Sequence, residues 1–298
     1  DDAPGHQQVE RFPVPDHPII NWLGESLTVK YFPQAIPHVF RHFAKPLAAV
    51  RARYGLEPVS SLLEMLTHGD YTLYPDDPWL TPVDGAPSGH LFLGPVSWQP
   101  EGLADSDPWQ GLDPERPRLY VTLGSSGALR LLPLVVEALA GLPVVAVIAT
   151  AGRAELGSLP PNLAARPFVR GAELARDAAL VIFNGGSTTG YQALSQGTKV
   201  FGLPSNFDQY LAMEAIERAG AGLSVKARQA TAVLIRAGVE RALSDATLDA
   251  GARTVAEHFA QHDAAETFRR FVARASERDA SERRASEPSA SFRQKRCP

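Results

Sequence analysis

The chain is 298 residues long and 44% hydrophobic, with a formal net charge of -4. That length exceeds the usual size of one core, so two lobes are expected, with one large α/β domain as the fallback. The charge offers no electrostatic footing for nucleic acid, no apolar run is long enough to cross a bilayer, and the single cysteine, Cys297, excludes a disulfide framework or a cysteine metal cluster and fits a reducing, cytoplasmic setting.

Residues 1–33 are Pro-rich and read as irregular, and the opening "DDAPGHQQVERFPVPDHP", with neither an initiator Met nor a signal-peptide pattern, reads as that of a fragment. From Gln34 to Tyr54 the residues Ile36, Val39, Phe40, Phe43, Leu47 and Val50 recur at three and four, which predicts a helix bent at Pro46 and ended near Gly55. A short helix follows at Val59–Thr67, then strands in "DYTLYP" and "HLFLGPV". Residues 98–117, rich in Pro, Asp and Gly and without periodicity, read as a linker.

Beyond the linker the rhythm is regular. Strands are predicted at 118–123, 143–149, near Arg166–Val169, and at 179–183, 199–204 and 222–225. Helices are predicted at 128–140, 171–177, from the "NGGSTT" loop to Gln196, and at 208–219, about 229–243 and 246–273. Alternating strands and helices with continuous apolar strands imply a parallel sheet covered on both faces. Residues 275–298 hold almost no large apolar side chains and are expected to be disordered.

Two loops in this region share a pattern in which an apolar strand ends in a Gly/Ser/Thr turn that opens a helix: "YVTL-GSSG-ALRLL" and "LVIF-NGGSTT-GYQAL". Free N–H groups and the dipole at such a helix start attract anions, and glycine lets the backbone come close, so a phosphate or diphosphate is the natural guest. Tight βα loops are also Gly/Ser-rich for purely structural reasons, but a pair of them at the carboxyl ends of one parallel sheet lies where such sheets bind ligands. Other motifs fail on spacing: there is no Gly-x-Ser-x-Gly elbow around Ser187, no Walker A lysine, and no Gly-x-Gly-x-x-Gly after a strand. His38 with His42, and His258 with His262, lack the His-Glu-x-x-His form of a zinc helix, and the acidic Asp105-Ser106-Asp107 lies in the linker rather than at a strand end.

The block "NGGSTTGYQALSQGTKVFGLPSNFDQYLAMEAIERAGAGL" resembles the donor-site signature of GT-B fold glycosyltransferases of the macrolide and UDP-glycosyltransferase group. "RARYGLEPVSSLLEM" and "DYTLYPDDPWL…HLFLGPVSW" look like the end of that family's acceptor-side domain, and "RLYVTLGSSG" like the opening of its donor domain; the resemblance covers about residues 40–274. It implies a GT-B architecture: a complete C-terminal Rossmann-like donor domain at 118–274, joined by a linker at 98–117 to the later half of an N-terminal Rossmann-like acceptor domain at 1–97, with a tail at 275–298.

The resemblance also implies residue roles. Gly124, Ser125, Ser126 and Gly127 would line a diphosphate from the first loop, and Asn184, Gly185, Gly186, Ser187, Thr188 and Thr189 from the second. Phe168 and Val169 match the strand end that receives the nucleobase, Gln192 the ribose-binding position, and Asp208 with Gln209 the pair that grips the donor sugar. An Asp beside a Gln can accept from and donate to neighbouring hydroxyls, although Asp208 also stands where it could cap the helix that follows. The sequence departs from the family's form at three places: Asn184 replaces a His, Gln192 a Glu, and Arg170-Gly171 a Pro-Gln.

The implied activity is transfer of a hexosyl group from a UDP- or TDP-linked sugar to a hydroxyl of a small-molecule or lipid acceptor. It proceeds with inversion and needs no metal or resident cofactor, because the loop dipoles stabilise the departing diphosphate. Peripheral membrane contact is compatible with it. The family's general base, a His early in the acceptor domain, has no counterpart in residues 1–97, so no catalytic residue is assigned. Alternatives are a related nucleotide-sugar epimerase or N-acetylglucosaminyltransferase, or a non-catalytic nucleotide-sugar-binding protein.

Overall fold

The computed structural model describes residues 25–83, 85–87, 89–98 and 107–286. The expected linker therefore falls partly outside the described residues, as do Asp105, Ser106 and the last twelve residues of the expected tail.

The chain begins with helix α1 (Glu25–Arg53) and the short α2 (Leu62–Leu66), whose N-cap Ser61 accepts from the Glu64 amide. α1 starts nine residues before the predicted Gln34 and runs through Pro33, Pro37 and Pro46. Each proline removes one backbone donor, and the Pro-rich look of residues 1–33 as a whole concealed that 25–33, which hold only Pro33, are compatible with a helix. Strands β1 (Thr72–Tyr74) and β2 (His90–Phe92) pair in parallel as a two-stranded sheet.

The second region is a six-stranded, wholly parallel sheet in the order β5-β4-β3-β6-β7-β8, made of β3 (Arg118–Thr122), β4 (Val145–Ala149), β5 (Leu163–Arg166), β6 (Leu180–Phe183), β7 (Val200–Gly202) and β8 (Gly222–Ser224). Its helices are α3 (Leu132–Leu139), α4 (Gly171–Asp177), α5 (Ser187–Leu194), α6 (Phe207–Arg218), α7 (Ala232–Ser244), α8 (Ala246–Phe259) and α9 (Ala264–Ser286).

Successive strand residues enter opposite cores, as the two-residue period of a strand requires. Leu119, Val121, Ala146, Ile148, Leu180 and Ile182 pack with α3 and α7 on one face. Tyr120, Val147, Val181 and Phe183 pack on the other with α4, α5, α6 and α8. This is why "VAVIA" and "LVIF" read as unbroken apolar runs: both faces are covered.

The sheet order runs outward from β3 in both directions, so the strand order reverses between β3 and β6. At such a switch point the loops leaving neighbouring strands part to opposite faces and leave a crevice between them.

Three expectations shift. The short strand lies at Leu163–Arg166, so Phe168 and Val169 sit in the loop beyond its carboxyl end. The predicted helix over 246–273 is two helices, parted where the Asp263 carboxylate accepts from the Glu266 amide and restarts the chain as α9. α9 then continues to Ser286, past the expected start of a disordered tail at 275; its Ala, Arg and Glu are strong helix formers, and Glu266 pairs with Arg269 and Arg270 one turn on. Among the described residues no helix is long and apolar enough to cross a membrane.

Candidate nucleotide-sugar site

The β3 exit is a tight turn. Gly124 has φ +58 and donates its N–H to the Thr122 hydroxyl, and its carbonyl accepts from Arg153 at 2.8 Å. A side chain at Gly127 would place its Cβ 2.0 Å from the Leu123 carbonyl oxygen, so only glycine lets the chain fold back there. Ser125 and Ser126 are left exposed. A 3-10 turn (Leu129–Leu131) intervenes before α3. The first loop therefore does not open directly on an α-helix as the shared pattern had suggested, because Ala128 stays extended at φ -75, ψ 95.

The β6 exit does open directly on α5. Asn184, 5% exposed, accepts the Gly186 N–H on Oδ1 at 3.2 Å and donates through Nδ2 to the Ser126 hydroxyl at 3.2 Å. One side chain thus shapes its own loop and ties it to the other. Gly185 has φ +83, and a Cβ there would lie 3.0 Å from Met213 and 3.2 Å from Pro204. Gly186, the N-cap of α5, supplies no side-chain acceptor, so the first-turn amides of Ser187, Thr188 and Thr189 are uncapped by any side chain. At a helix start such amides lie at the positive end of the helix dipole.

The third segment is the turn between β7 and α6. Asn206, rather than Asp208, is the N-cap, accepting the Gln209 N–H at 3.0 Å. Asp208 in the first turn is exposed. Gln209 is only 1% exposed. Its Oε1 accepts from the Ser205 N–H and hydroxyl at 2.8 and 3.1 Å, and its Nε2 reaches the Ser126 hydroxyl at 3.5 Å. Gln209 thus braces the β7–α6 turn against the β3 exit, its amide engaged at both ends. Ser126 is the meeting point of Asn184 and Gln209.

At the far side of the crevice Phe168 is 58% exposed and lies over Gly152, while Val169 is half-buried against the α4, α5 and α6 core. Gln192 donates through Nε2 to the Trp98 carbonyl at 2.7 Å, and its Oε1 crowds Gly171, where a Cβ would stand 2.6 Å away. A Cβ at Gly171, where the family's form has Gln, would displace the end of the Gln192 side chain, so the present place of that amide goes with the glycine.

Sequence reasoning missed the residues that hold the β1–β2 segment to the six-stranded sheet and its helices. The Tyr191 hydroxyl donates to Asp76 at 2.5 Å, His262 pairs with the buried Asp77 at 2.6 Å, and Trp79 stacks on His258 at 3.9 Å. Arg218 donates to the Leu80 carbonyl, and Tyr71 meets Phe271 of α9 edge-on. Burial raises the proton affinity of the Asp76 carboxyl; the Tyr191 hydrogen bond offsets this in part, while nearby Asp208 and Asp77 add to it. Burial and then Asp76 itself push the Tyr191 hydroxyl well above its ordinary range. The only local signal was the Asp-Asp-Pro after a predicted strand; the partners lie more than a hundred residues away.

Residues 134–273 match the family model of the Erythromycin biosynthesis protein CIII-like C-terminal domain. A PGL/p-HBAD biosynthesis glycosyltransferase of Mycobacterium tuberculosis (strain ATCC 25177 / H37Ra) is 41% identical over 254 residues, which cover 85% of this chain and 59% of the relative. A PGL/p-HBAD biosynthesis rhamnosyltransferase of Mycobacterium bovis (strain BCG / Pasteur 1173P2) is 39% identical over 84% of this chain and 56% of its own length. A shorter match, 38% identical over 45% of this chain and 36% of the relative, is to an inactive PGL/p-HBAD biosynthesis glycosyltransferase of the same organism. Among solved structures, the spinosyn rhamnosyltransferase SpnG complexed with thymidine diphosphate superposes with a TM-score of 0.58 at 25% identity, covering 75% of this chain and 60% of that one. The chain spans little more than half the length of these full-length relatives. Residues 134–273 are thus similar to the EryCIII-like C-terminal domain, and the chain resembles glycosyltransferases of the GT-B fold over most of its length.

Proposed function

We propose that the protein transfers a hexosyl group from a UDP- or TDP-linked sugar to a hydroxyl of a small-molecule or lipid acceptor, with inversion at the anomeric carbon and without a metal. The observation that carries this reading is the Asn184–Ser126 hydrogen bond, which joins the β3 and β6 exits into one crevice at the sheet's switch point. The names of the relatives support a sugar transferase, and two of them support a rhamnosyl-type hexose.

In this reading the exposed Ser125 and Ser126 and the uncapped amides of Ser187, Thr188 and Thr189 receive the diphosphate, Phe168 and Val169 border the nucleobase, and Asp208 accepts from sugar hydroxyls. The acceptor oxygen forms a bond to the anomeric carbon as the sugar–phosphate bond breaks. Its proton passes to a base to which no residue of this chain is assigned, and the negative charge on the leaving diphosphate is stabilised by amides already oriented for it. The division into an acceptor-side part (1–97), a linker (98–117) and a donor-binding domain (118–274), a cytoplasmic setting and peripheral membrane contact belong to the same proposal.

The test is calorimetry with TDP- and UDP-hexoses, then a transfer assay on a phenolic acceptor with and without EDTA, the product's anomeric configuration being read by NMR. Absence of nucleotide-sugar binding defeats the reading. Binding without transfer points instead to a nucleotide-sugar-binding protein without turnover, an alternative favoured by the relative named inactive and by the engaged amide of Gln209.

A further inference from the structure

The strap that follows β2 carries an exposed tryptophan for which neither the fold nor the diphosphate crevice accounts. Trp98 is 72% exposed, an unusual state for so large an apolar ring. Its backbone is nevertheless held in place, because the Gln192 amide donates to its carbonyl at 2.7 Å.

Gln192 lies in α5, little more than one turn from the uncapped amides of Ser187, Thr188 and Thr189, and its Oε1 lies beside Gly171 at the start of α4, 2.6 Å from where a Cβ there would stand. Three residues before Gly171 is Phe168, itself 58% exposed. The exposed ring of Trp98 on the strap and the exposed ring of Phe168 beyond β5 are thus brought near one side chain, Gln192, which holds the Trp98 carbonyl with Nε2 and has its Oε1 beside Gly171.

We infer that Trp98 is a nucleoside-positioning residue, whose ring covers the base and ribose from the strap side while Phe168 borders them from the sheet side, with Gln192 setting the strap's position. This rests on the donor-site reading above and extends it to a residue outside the donor domain. A planar base has two apolar faces, and a water-exposed tryptophan gains by covering one of them, whichever pyrimidine is present. The strap would then take part in donor binding as well as in joining the two regions.

The experiment uses the full chain and three probes: thymidine diphosphate, uridine diphosphate and inorganic pyrophosphate. Trp98→Ala is expected to weaken both nucleotides about tenfold in calorimetry while leaving pyrophosphate affinity unchanged, since stacking on one base is worth roughly that factor. Trp98→Phe should retain most of the nucleotide affinity and abolish the nucleotide-induced quench of tryptophan fluorescence. Because the ring is exposed, neither variant should alter the thermal midpoint.

Nucleotide affinity unchanged in Trp98→Ala, with the wild type binding normally, overturns the inference and leaves the donor-site reading intact. An equal loss for pyrophosphate also overturns it, because the strap then serves the crevice as a whole. A wild-type chain that binds none of the three probes overturns the donor-site reading and this inference with it.

Discussion

The side-chain amide of Asn184 reaches across to the hydroxyl of Ser126 at 3.2 Å, joining the exits of two adjacent parallel strands that lie 58 residues apart in the chain. The same side chain accepts the Gly186 N–H. Shape of the second loop and its distance from the first therefore depend on one buried residue. Asn184→Ala leaves the Gly186 amide without its acceptor and is expected to lower stability by about 1–3 kcal/mol. Asn184→Asp keeps that acceptor but adds a negative charge beside the proposed diphosphate position, so its nucleotide affinity should fall further than its melting temperature. Melting curves set beside calorimetry separate the two effects.

The neighbouring glycines should respond in opposite ways. Gly185 has φ +83 and stands 3.0 Å from Met213 at its would-be Cβ, so Gly185→Val should be poorly folded. Gly186 has φ -76, where any residue is at ease, and its would-be Cβ faces Asn184 Oδ1 at 3.3 Å. Gly186→Val should keep a near-normal melting temperature and lose nucleotide affinity at least tenfold. Normal affinity in that variant would remove the backbone-cradle account.

Gln209 and Asp208 are adjacent in sequence and opposite in burial. Gln209→Leu strips the Ser205 N–H of its acceptor inside the fold and is expected to cost about 1–3 kcal/mol in denaturant melts, whatever ligand is present. Asp208 is exposed and makes no cap, so Asp208→Ala should leave stability within about 0.5 kcal/mol. Its effect belongs to ligands: affinity for TDP- and UDP-sugars should fall relative to the sugar-free diphosphates. Equal effects on sugar-bearing and sugar-free ligands would deny Asp208 its sugar contact.

The Asp76 carboxyl binds its proton more tightly in the folded chain than at the ordinary 3.8 of the unfolded one, chiefly through burial. Its protonated form is thus favoured by folding. That contribution is fully present below pH 3.8 and is lost as pH rises through the folded value. Asp76→Asn offers Tyr191 a neutral acceptor at all pH values. The variant should therefore gain stability relative to wild type as pH climbs from below 4 towards neutrality, read as the difference in melting temperature across that range. A difference that stays flat with pH would mean that the Asp76 proton is not linked to folding.

Much of the donor-side domain is legible in the sequence because its signals are local. Unbroken apolar runs such as "VAVIA" and "LVIF" follow from strands covered on both faces, and Gly185 and Gly186 announce a turn that brings backbone near a ligand. Boundaries were less legible where local composition misled: Pro33 hid the start of α1, and the Ser/Arg/Glu-rich stretch after 274 concealed that α9 continues to Ser286.

What the sequence by itself determined is the alternation of strands and helices, the parallel sheet, and which glycine, serine and asparagine residues stand at the strand exits. Only the tertiary structure decided how the polar side chains there are used: Gln209 is consumed by Ser205 and Ser126, Gln192 by the Trp98 carbonyl, and Asp76 by Tyr191. The physical reason is that a polar group drawn out of water must find a partner, and for Asp76, for Gln192 and for the reach of Gln209 to Ser126 that partner comes from a segment distant in the chain, of which no local pattern carries a trace.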